Sequence, residues 1–173
     1  MKRYIIYVLV LLTLLCQQNL VAQSNNESNI TTFILVRHAE KTDSTPNTEL
    51  SENGKQRAQA LAKLLSKVNI DAIYTTPLKR TQQTVKIVAE QNNLMINSYE
   101  IDAKFRSFTD DLSKKYAGKT ILLVGHSNTL PVNIERLTNK KLDIPESEFD
   151  NVFIIQVYLK DNSINMLQLK YGE

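Results

Sequence analysis

Residues 120–124 have the sequence TILLV, a continuous apolar run that predicts a strand buried on both faces of a sheet. A second such run, FILV at residues 33–36, lies near the start of the chain. Between the two, Ser51 can cap a helix that extends to about residue 68 with one apolar face. Because strands alternate with helices, we expect an α/β fold of three layers, α/β/α, in a single domain. Its sheet should be mainly parallel, with helices on both faces.

The other predicted elements continue this alternation. The strands are at residues 71–74 and, as an edge strand, 95–101, the helices begin near Pro77, Phe108 and Pro131, and a C-terminal hairpin pairs residues 152–159 with 164–169. The composition is that of an ordinary globular domain, with 42% hydrophobic and 23% charged residues.

The N-terminal segment differs in pattern from the rest of the chain. Lys2 and Arg3 precede an uncharged apolar run at residues 4–15, the polar residues 17–19 end it, and Ala22 supplies a small residue before Gln23. This three-part pattern predicts a secretory signal peptide, so we expect an exported protein, periplasmic or secreted. The predicted division of the chain is a signal peptide at residues 1–22, a linker at 23–31 and a folded domain at 32–173.

Cys16 is the only cysteine and lies beside this apolar run. Lipid attachment at Cys16 is the less favoured alternative, because Leu15 stands where a small residue is usual. The run is too short to cross a bilayer, so we expect no membrane association beyond the export signal. Cleavage after Ala22 would leave a mature chain without cysteine, which excludes disulfides and a cysteine nucleophile.

The formal charge of +3 does not indicate a nucleic-acid partner. Without Lys2 and Arg3, 19 basic residues face 18 acidic ones, which leaves the mature chain almost neutral. A basic patch for nucleic acid or a membrane surface is therefore not expected.

Polar residues follow three of the predicted strands. Arg37 and His38 follow FILV, Thr76 and Arg80 follow the strand at 71–74, and His126 follows TILLV. Sites on parallel sheets form outside the carboxyl ends of the strands. We therefore expect both histidines of the chain and two arginines to converge.

Arg80 is predicted in the first turn of a helix, where the positive end of the helix dipole disfavours a cation. An anion held between Arg80 and the helix terminus would resolve this conflict. A single histidine at a strand end is more often structural than catalytic. The joint occurrence of two histidines and two arginines is what predicts an anion site.

Four segments, in this order and spacing, resemble the histidine phosphatase superfamily, which includes the phosphoglycerate mutases and the small bacterial phosphohistidine phosphatases. They are ILVRHAEK from residue 34, LSENGKQRAQALAKLL from 50, IYTTPLKRTQQT from 73 and LLVGHSNT from 122. The resemblance covers residues 32–138 and is nearest in style to the phosphohistidine phosphatases.

The resemblance implies a histidine acid phosphatase-type phosphoric monoester hydrolase. It makes His38 the nucleophile that becomes phosphorylated and His126 the second catalytic histidine. The residues that it places around the phosphate are Arg37 and Arg80, with Thr76 and Asn128 as further pocket candidates. The expected substrate is a phosphomonoester or a phosphoramidate, carried by a small molecule or a phosphoprotein.

The chemistry of phosphoryl transfer agrees with these roles. Attack on phosphorus needs a neutral imidazole, and two nearby arginines would lower the pKa of His38. The same arginines would stabilise charge on the phosphoryl oxygens, as a metal does elsewhere, so we expect neither a metal nor a cofactor.

The general acid for the leaving group is left open. The candidates are Glu40, Glu100, Asp102 and Asp110. For each of them, the pattern fits a solvated surface carboxylate better than a catalytic acid. Without an acid, the enzyme would favour good leaving groups, such as those of phosphohistidine or aryl phosphates.

Alternatives from other classes remain. The segment GHSNT at residues 125–129 partly matches a serine-hydrolase elbow, but it lacks the final glycine and a downstream histidine. A metallohydrolase needs a cluster of histidine and carboxylate ligands, and the two histidines of this chain are far apart in sequence. The main alternative is a non-catalytic module that binds a phosphorylated ligand on the same fold.

Overall fold

The structure is a computed structural model that describes residues 29–102 and 105–172. Its strands are β1 (Ile30–Arg37), β2 (Ala72–Thr75), β3 (Ile96–Ser98), β4 (Thr120–Gly125), β5 (Asn151–Tyr158) and β6 (Ile164–Lys170). Its α-helices are α1 (Glu52–Leu64), α2 (Lys79–Asn92), α3 (Phe108–Lys115) and α4 (Leu130–Thr138), and a short 3-10 helix at Phe105–Ser107 precedes α3.

The strands form one sheet in the order β3-β2-β4-β1-β5-β6. β1 is parallel to β4, and β2 lies parallel to both β4 and β3. β5 is antiparallel to β1, and β6 is antiparallel to β5. The predicted mainly parallel sheet with a C-terminal hairpin is therefore confirmed.

Side chains of β1 alternate between two cores. Phe33 and Leu35 pack in the core that includes residues of α3 and α4. Ile34 and Val36 pack in the core that includes residues of α1 and α2. Because both sides of the strand are buried, its sequence is a continuous apolar run. The predicted three-layer arrangement is confirmed.

Element boundaries differ from the sequence predictions by a few residues. β1 begins at Ile30, inside the predicted linker, because Ile30 pairs with Tyr158 of β5. The first helix ends at Leu64 instead of residue 68, since the chain then turns through a hydrogen bond from Val68 N to the Leu65 carbonyl. The second helix begins at Lys79 rather than at Pro77.

The predicted signal peptide at residues 1–22 and Cys16 lie outside the described residues. Within residues 29–102 and 105–172, no helix has the length and apolar character needed to cross a membrane.

The N-terminus of α1 packs directly against the segment that follows His38. Ser51 caps this helix by accepting from Gly54 N at 3.1 Å, and its own amide donates to the Glu40 carbonyl at 2.9 Å. A Cβ atom at Gly54 would lie 2.1 Å from the same carbonyl oxygen. Only glycine permits this approach, which holds the backbone two residues beyond His38 in place.

Candidate functional site

The carboxyl ends of β1 and β4 bring the two histidines together. Arg37 is the register partner of Gly125, and the His38 amide donates to the Gly125 carbonyl at 3.0 Å. The imidazole centroids of His38 and His126 are 5.2 Å apart, with an angle of 62° between the ring planes. Residues distant in sequence therefore meet at the sheet edge, as expected from the strand-end rule.

Both histidines open into one cleft of about 390 Å³. Its lining consists of Arg37, His38, Lys41, Leu78, Arg80, Ile101, His126, Ser127, Asn128 and Glu146. Five of the six residues that the sequence analysis assigned to the site, all except Thr76, thus line this cleft.

Arg37 is buried at the end of β1 and binds the loop that precedes β5. Its Nη1 donates to the carbonyl oxygens of Pro145 (3.1 Å), Glu146 (2.7 Å) and Glu148 (3.1 Å). Its Nη2 donates to the Glu146 carboxylate at 2.5 Å, and its guanidinium lies 4.1 Å from the centroid of the Phe149 ring. Arg37 therefore holds this loop against the cleft.

The ring of His38 is fixed in one tautomer by the backbone. Its Nδ1 lies 2.8 Å from the Ala39 carbonyl oxygen, which can only accept a hydrogen bond. Nδ1 therefore carries the proton, and Nε2 keeps its lone pair. His38 is only 4% exposed, which places this nitrogen deep in the site.

His126 is oriented by hydroxyl groups. Its Nε2 shares a hydrogen bond with Thr76 Oγ1 at 3.0 Å, and Thr76 Oγ1 in turn lies 3.1 Å from Thr81 Oγ1. The His126 amide donates to Thr129 Oγ1 at 2.9 Å. Thr76 thus contacts the second histidine from behind instead of lining the cleft.

Arg80 enters the cleft from the first turn of α2. Its Nη1 donates to the Pro46 carbonyl at 2.6 Å. Among the described residues, Arg80 Nε and Arg37 Nε are both buried without a hydrogen-bond partner. Buried donors are normally paired, so two unpaired guanidinium donors at one cleft favour an anionic ligand.

Burial keeps both imidazoles neutral. The pKa of His38 is lowered to about 3, with burial as the largest cause; the hydrogen bond to Ala39 opposes the shift, and His126, Arg37 and Arg80 contribute to it. The pKa of His126 is likewise lowered to about 4, mainly by burial and in smaller part by Arg80 and Arg37, against the opposing charge of Glu146. The arginines contribute as the sequence analysis expected, but burial is the larger cause.

These shifts predict a stability that falls on acidification. Below pH 6.5 the unfolded chain protonates both histidines, whereas the folded chain stays neutral until pH falls to about 4 for His126 and about 3 for His38. Each such proton lowers the free energy of unfolding by about 1.4 kcal/mol per pH unit. Urea unfolding between pH 6.5 and 4.5 should therefore show a steeper loss for the native chain than for the His38→Gln, His126→Gln double variant. Parallel losses would contradict neutral buried histidines.

Glu146 was not predicted from the sequence, yet it bridges two sides of the cleft. One carboxylate oxygen accepts from Arg37, and the other accepts from the Ser127 hydroxyl in a short hydrogen bond. These contacts lower the pKa of Glu146, the Ser127 hydrogen bond most. Its side chain is 80% exposed, so the carboxylate lies at the mouth.

The acids considered from the sequence lie elsewhere. Glu40 pairs with Arg57, whose Nε donates to both carboxylate oxygens at 2.8 and 2.9 Å. Asp110 pairs with Arg136 in the α3–α4 layer. Glu100 and Asp102 are exposed and are not part of the cleft lining. Among the residues the structure describes, Glu146 is the one carboxylate that lines the cleft.

Within the described ranges, no group of three or more histidine, cysteine, aspartate or glutamate side chains is arranged to hold a metal ion. The expected metal independence stays a prediction, which is tested below.

A family model described as histidine phosphatase superfamily (branch 1) matches residues 33–101. A curated relative, phosphoserine phosphatase 1 from Hydrogenobacter thermophilus, is 43% identical over 71 residues, which cover 37% of this chain and 34% of the relative. The match thus spans about a third of the length of that relative.

Solved structures of the same fold span most of the chain. YhfR of Bacillus stearothermophilus has a TM-score of 0.65 at 20% identity, covering 78% of this chain and 94% of that protein. Phosphoglycerate mutase from Bacillus anthracis has a TM-score of 0.66 at 15% identity, covering 83% and 94%. Phosphoserine phosphatase from Entamoeba histolytica has a TM-score of 0.61 at 19% identity, covering 83% and 97%.

At these identities the structural neighbours establish the fold, and the family model supplies the match in sequence. Together they confirm the resemblance of this chain to the histidine phosphatase superfamily.

Proposed function

We propose that this protein is a phosphatase that hydrolyses a phosphomonoester through a phosphohistidine intermediate on His38. In reaction class it is a phosphoric monoester hydrolase of the histidine acid phosphatase type. One observation carries the proposal. A neutral imidazole with a free Nε2 lies deep in a cleft where two arginines leave buried N–H donors unpaired.

In the first step, His38 Nε2 attacks phosphorus while the bond between phosphorus and the ester oxygen breaks. The leaving alcohol takes a proton, and His38 carries the phosphoryl group. In the second step a water molecule attacks the same phosphorus, the P–N bond breaks, and inorganic phosphate leaves with neutral His38 restored. Each step needs the nucleophile and the leaving atom in line.

The positive groups of the cleft stabilise the transferring phosphoryl group. Arg37 and Arg80 approach the cleft from different elements, β1 and α2, so their charges act on different phosphoryl oxygens. His126 stands beside His38 at 5.2 Å and is held by Thr76, which suits a donor to a third oxygen. The loss of one such donor typically costs about 10²–10³-fold in rate.

A small phosphorylated substrate is favoured by the site. The cleft of about 390 Å³ suits a small phosphomonoester, and a phosphorylated side chain of a protein could also enter from the open mouth. The name of the curated relative and of one structural neighbour, phosphoserine phosphatase, supports phosphoserine as the first compound to assay.

A turnover assay distinguishes the proposed phosphatase from the alternative, a non-catalytic module that only binds a phosphorylated ligand. The chain from residue 23 onward should release the coloured phenolate from para-nitrophenyl phosphate in repeated turnovers. A non-catalytic module would bind phosphate and competing phosphate esters, yet release no phenolate. Binding without release, under conditions where the protein is folded, would contradict the proposed function.

Metal removal should leave the rate unchanged, because the arginines supply the positive charge that a metal ion provides in other phosphatases. Turnover of para-nitrophenyl phosphate should be equal with and without a chelator. Vanadate should inhibit, since it adopts the five-coordinate shape of the transferring group. A strict requirement for an added divalent metal would contradict this mechanism.

Export is part of the proposal, on the sequence pattern of residues 1–22. The mature protein should be recovered outside the cytoplasm, periplasmic or secreted, with its N-terminus near Gln23. Recovery of the intact chain, beginning at Met1, from the cytoplasm of the native host would contradict export.

A further inference from the structure

We propose that Glu146 is the general acid that protonates the leaving oxygen. The inference rests on the proposed function and assigns the one role that it leaves unfilled. Glu146 lies on the loop between α4 and β5, and no sequence motif of the site includes it.

The position of the nucleophile determines where the leaving group departs. His38 is 4% exposed and His126 is 9% exposed, so both imidazoles lie at the floor of the cleft. In-line displacement places the leaving oxygen opposite the attacking nitrogen. The leaving oxygen therefore departs toward the mouth, where the acid must stand.

Glu146 is the group at the mouth with the right chemistry. Its carboxylate is anchored on one side by Arg37 Nη2 and on the other by the Ser127 hydroxyl, which follows His126 directly. These two anchors connect the carboxyl ends of β1 and β4 across the cleft. The exposed carboxylate is thus held at the mouth of the cleft that both imidazoles line.

Substrate binding should raise the pKa of the Glu146 carboxyl, which is low in the free protein. In the free protein, the Ser127 hydroxyl and Arg37 favour the ionised form. A phosphoryl dianion would compete for Arg37 and would place negative charge next to the carboxylate. Both changes favour the protonated form, so the acid is ready when the ester is bound.

The proton balance closes over the two steps. In the first step the Glu146 carboxyl gives its proton to the ester oxygen as the P–O bond breaks, and the alcohol leaves. In the second step the Glu146 carboxylate accepts a proton from the attacking water as the P–N bond breaks. Glu146 is then protonated again, as it was when the ester was bound.

The test compares two substrates in four proteins. The phenolate that leaves para-nitrophenyl phosphate is stable without a proton. The leaving group of phosphoserine is an alkoxide, which needs a proton as the bond breaks. Glu146→Gln should lower kcat/KM, which reports the first step, by about 10²–10⁴-fold more for phosphoserine than for para-nitrophenyl phosphate, whereas kcat, which includes the shared second step, should fall for both substrates. Glu146→Asp, which keeps a carboxyl, should recover part of the phosphoserine rate.

Glu148→Gln is the matched control, because it removes the same charge from the same loop. The Glu148 side chain binds Asn151 at 2.7 Å and Lys170 at 3.6 Å instead of lining the cleft. Its ratio of alkyl to aryl turnover should equal that of the wild type. Far-ultraviolet circular dichroism and the thermal midpoint establish that each variant is folded.

Two outcomes would overturn the assignment. Equal losses of kcat/KM on both substrates in Glu146→Gln would make Glu146 a structural support for Arg37. A lower KM for both substrates with an unchanged ratio would make its carboxylate a competitor for the phosphate position. A wild-type protein that turns over neither substrate would instead overturn the proposed function itself, so the two failures are distinguishable.

Discussion

His38→Ala is expected to abolish turnover of para-nitrophenyl phosphate, because no covalent intermediate can form without the imidazole. His38 supplies the free Nε2, since its Nδ1 is committed to the Ala39 carbonyl at 2.8 Å. His126→Ala should retain activity at about 10²–10³-fold below the wild type, because it removes a donor and keeps the nucleophile. Steady-state assays with folded variants measure this difference.

The ranking of these two histidine variants is the informative result. Both rings are buried and lie 5.2 Å apart, so either substitution perturbs the same pocket. A general packing defect would lower both activities alike. A His38→Ala protein that retained more activity than His126→Ala would contradict the assignment of roles.

Arg37→Lys is expected to lower kcat/KM by about 10²-fold or more, although the formal charge is kept. Arg37 donates to three backbone carbonyls through Nη1 and to the Glu146 carboxylate through Nη2. A lysine ammonium cannot reproduce this planar fork. Carbonyls left without a donor should also lower the free energy of unfolding by about 1–3 kcal/mol.

Arg136→Lys is the matched control for Arg37→Lys. Arg136 also makes a carboxylate pair, to Asp110 at 2.9 Å, but its side chain is 55% exposed and is not part of the cleft lining. Its activity should equal that of the wild type, with stability changed by about 0.5 kcal/mol at most. An Arg37→Lys protein as active as this control would show that the fork is dispensable.

The sheet and the arginine–histidine constellation could be predicted from the sequence for a simple reason. Strands such as FILV and TILLV are buried on both faces, so their sequences are continuous apolar runs that stand out locally. Their carboxyl ends meet at one edge of a parallel sheet, so the residues that follow them, His38 and His126, could be expected to lie together there.

Glu146 could not be predicted in the same way. It lies 109 positions from Arg37 on an exposed loop, and its two partners, Arg37 and Ser127, come from other elements. A single carboxylate in such a loop resembles any solvated surface residue. The one signal available was chemical, since the missing acid required a carboxylate near the cleft.

The end of helix α1 could also not be predicted from the sequence pattern. Val68 continues the apolar periodicity of α1, but the chain leaves the helix after Leu64. Leu65 and Val68 are joined instead by a turn hydrogen bond of 2.9 Å, which redirects the chain toward β2. Apolar periodicity indicates which side chains face the core, but it does not show where the helix ends. Leu65 is buried by the turn just as it would be by a further helical turn.

The most direct test of the central claim is to locate the phosphoryl group during turnover. Wild-type protein mixed with a ³²P-labelled good substrate and rapidly quenched should yield an acid-labile, base-stable label on the peptide that contains His38. His126→Ala should still acquire this label slowly, and His38→Ala should acquire none. A label on the peptide containing His126, or any label that persists in His38→Ala, would contradict His38 as the nucleophile.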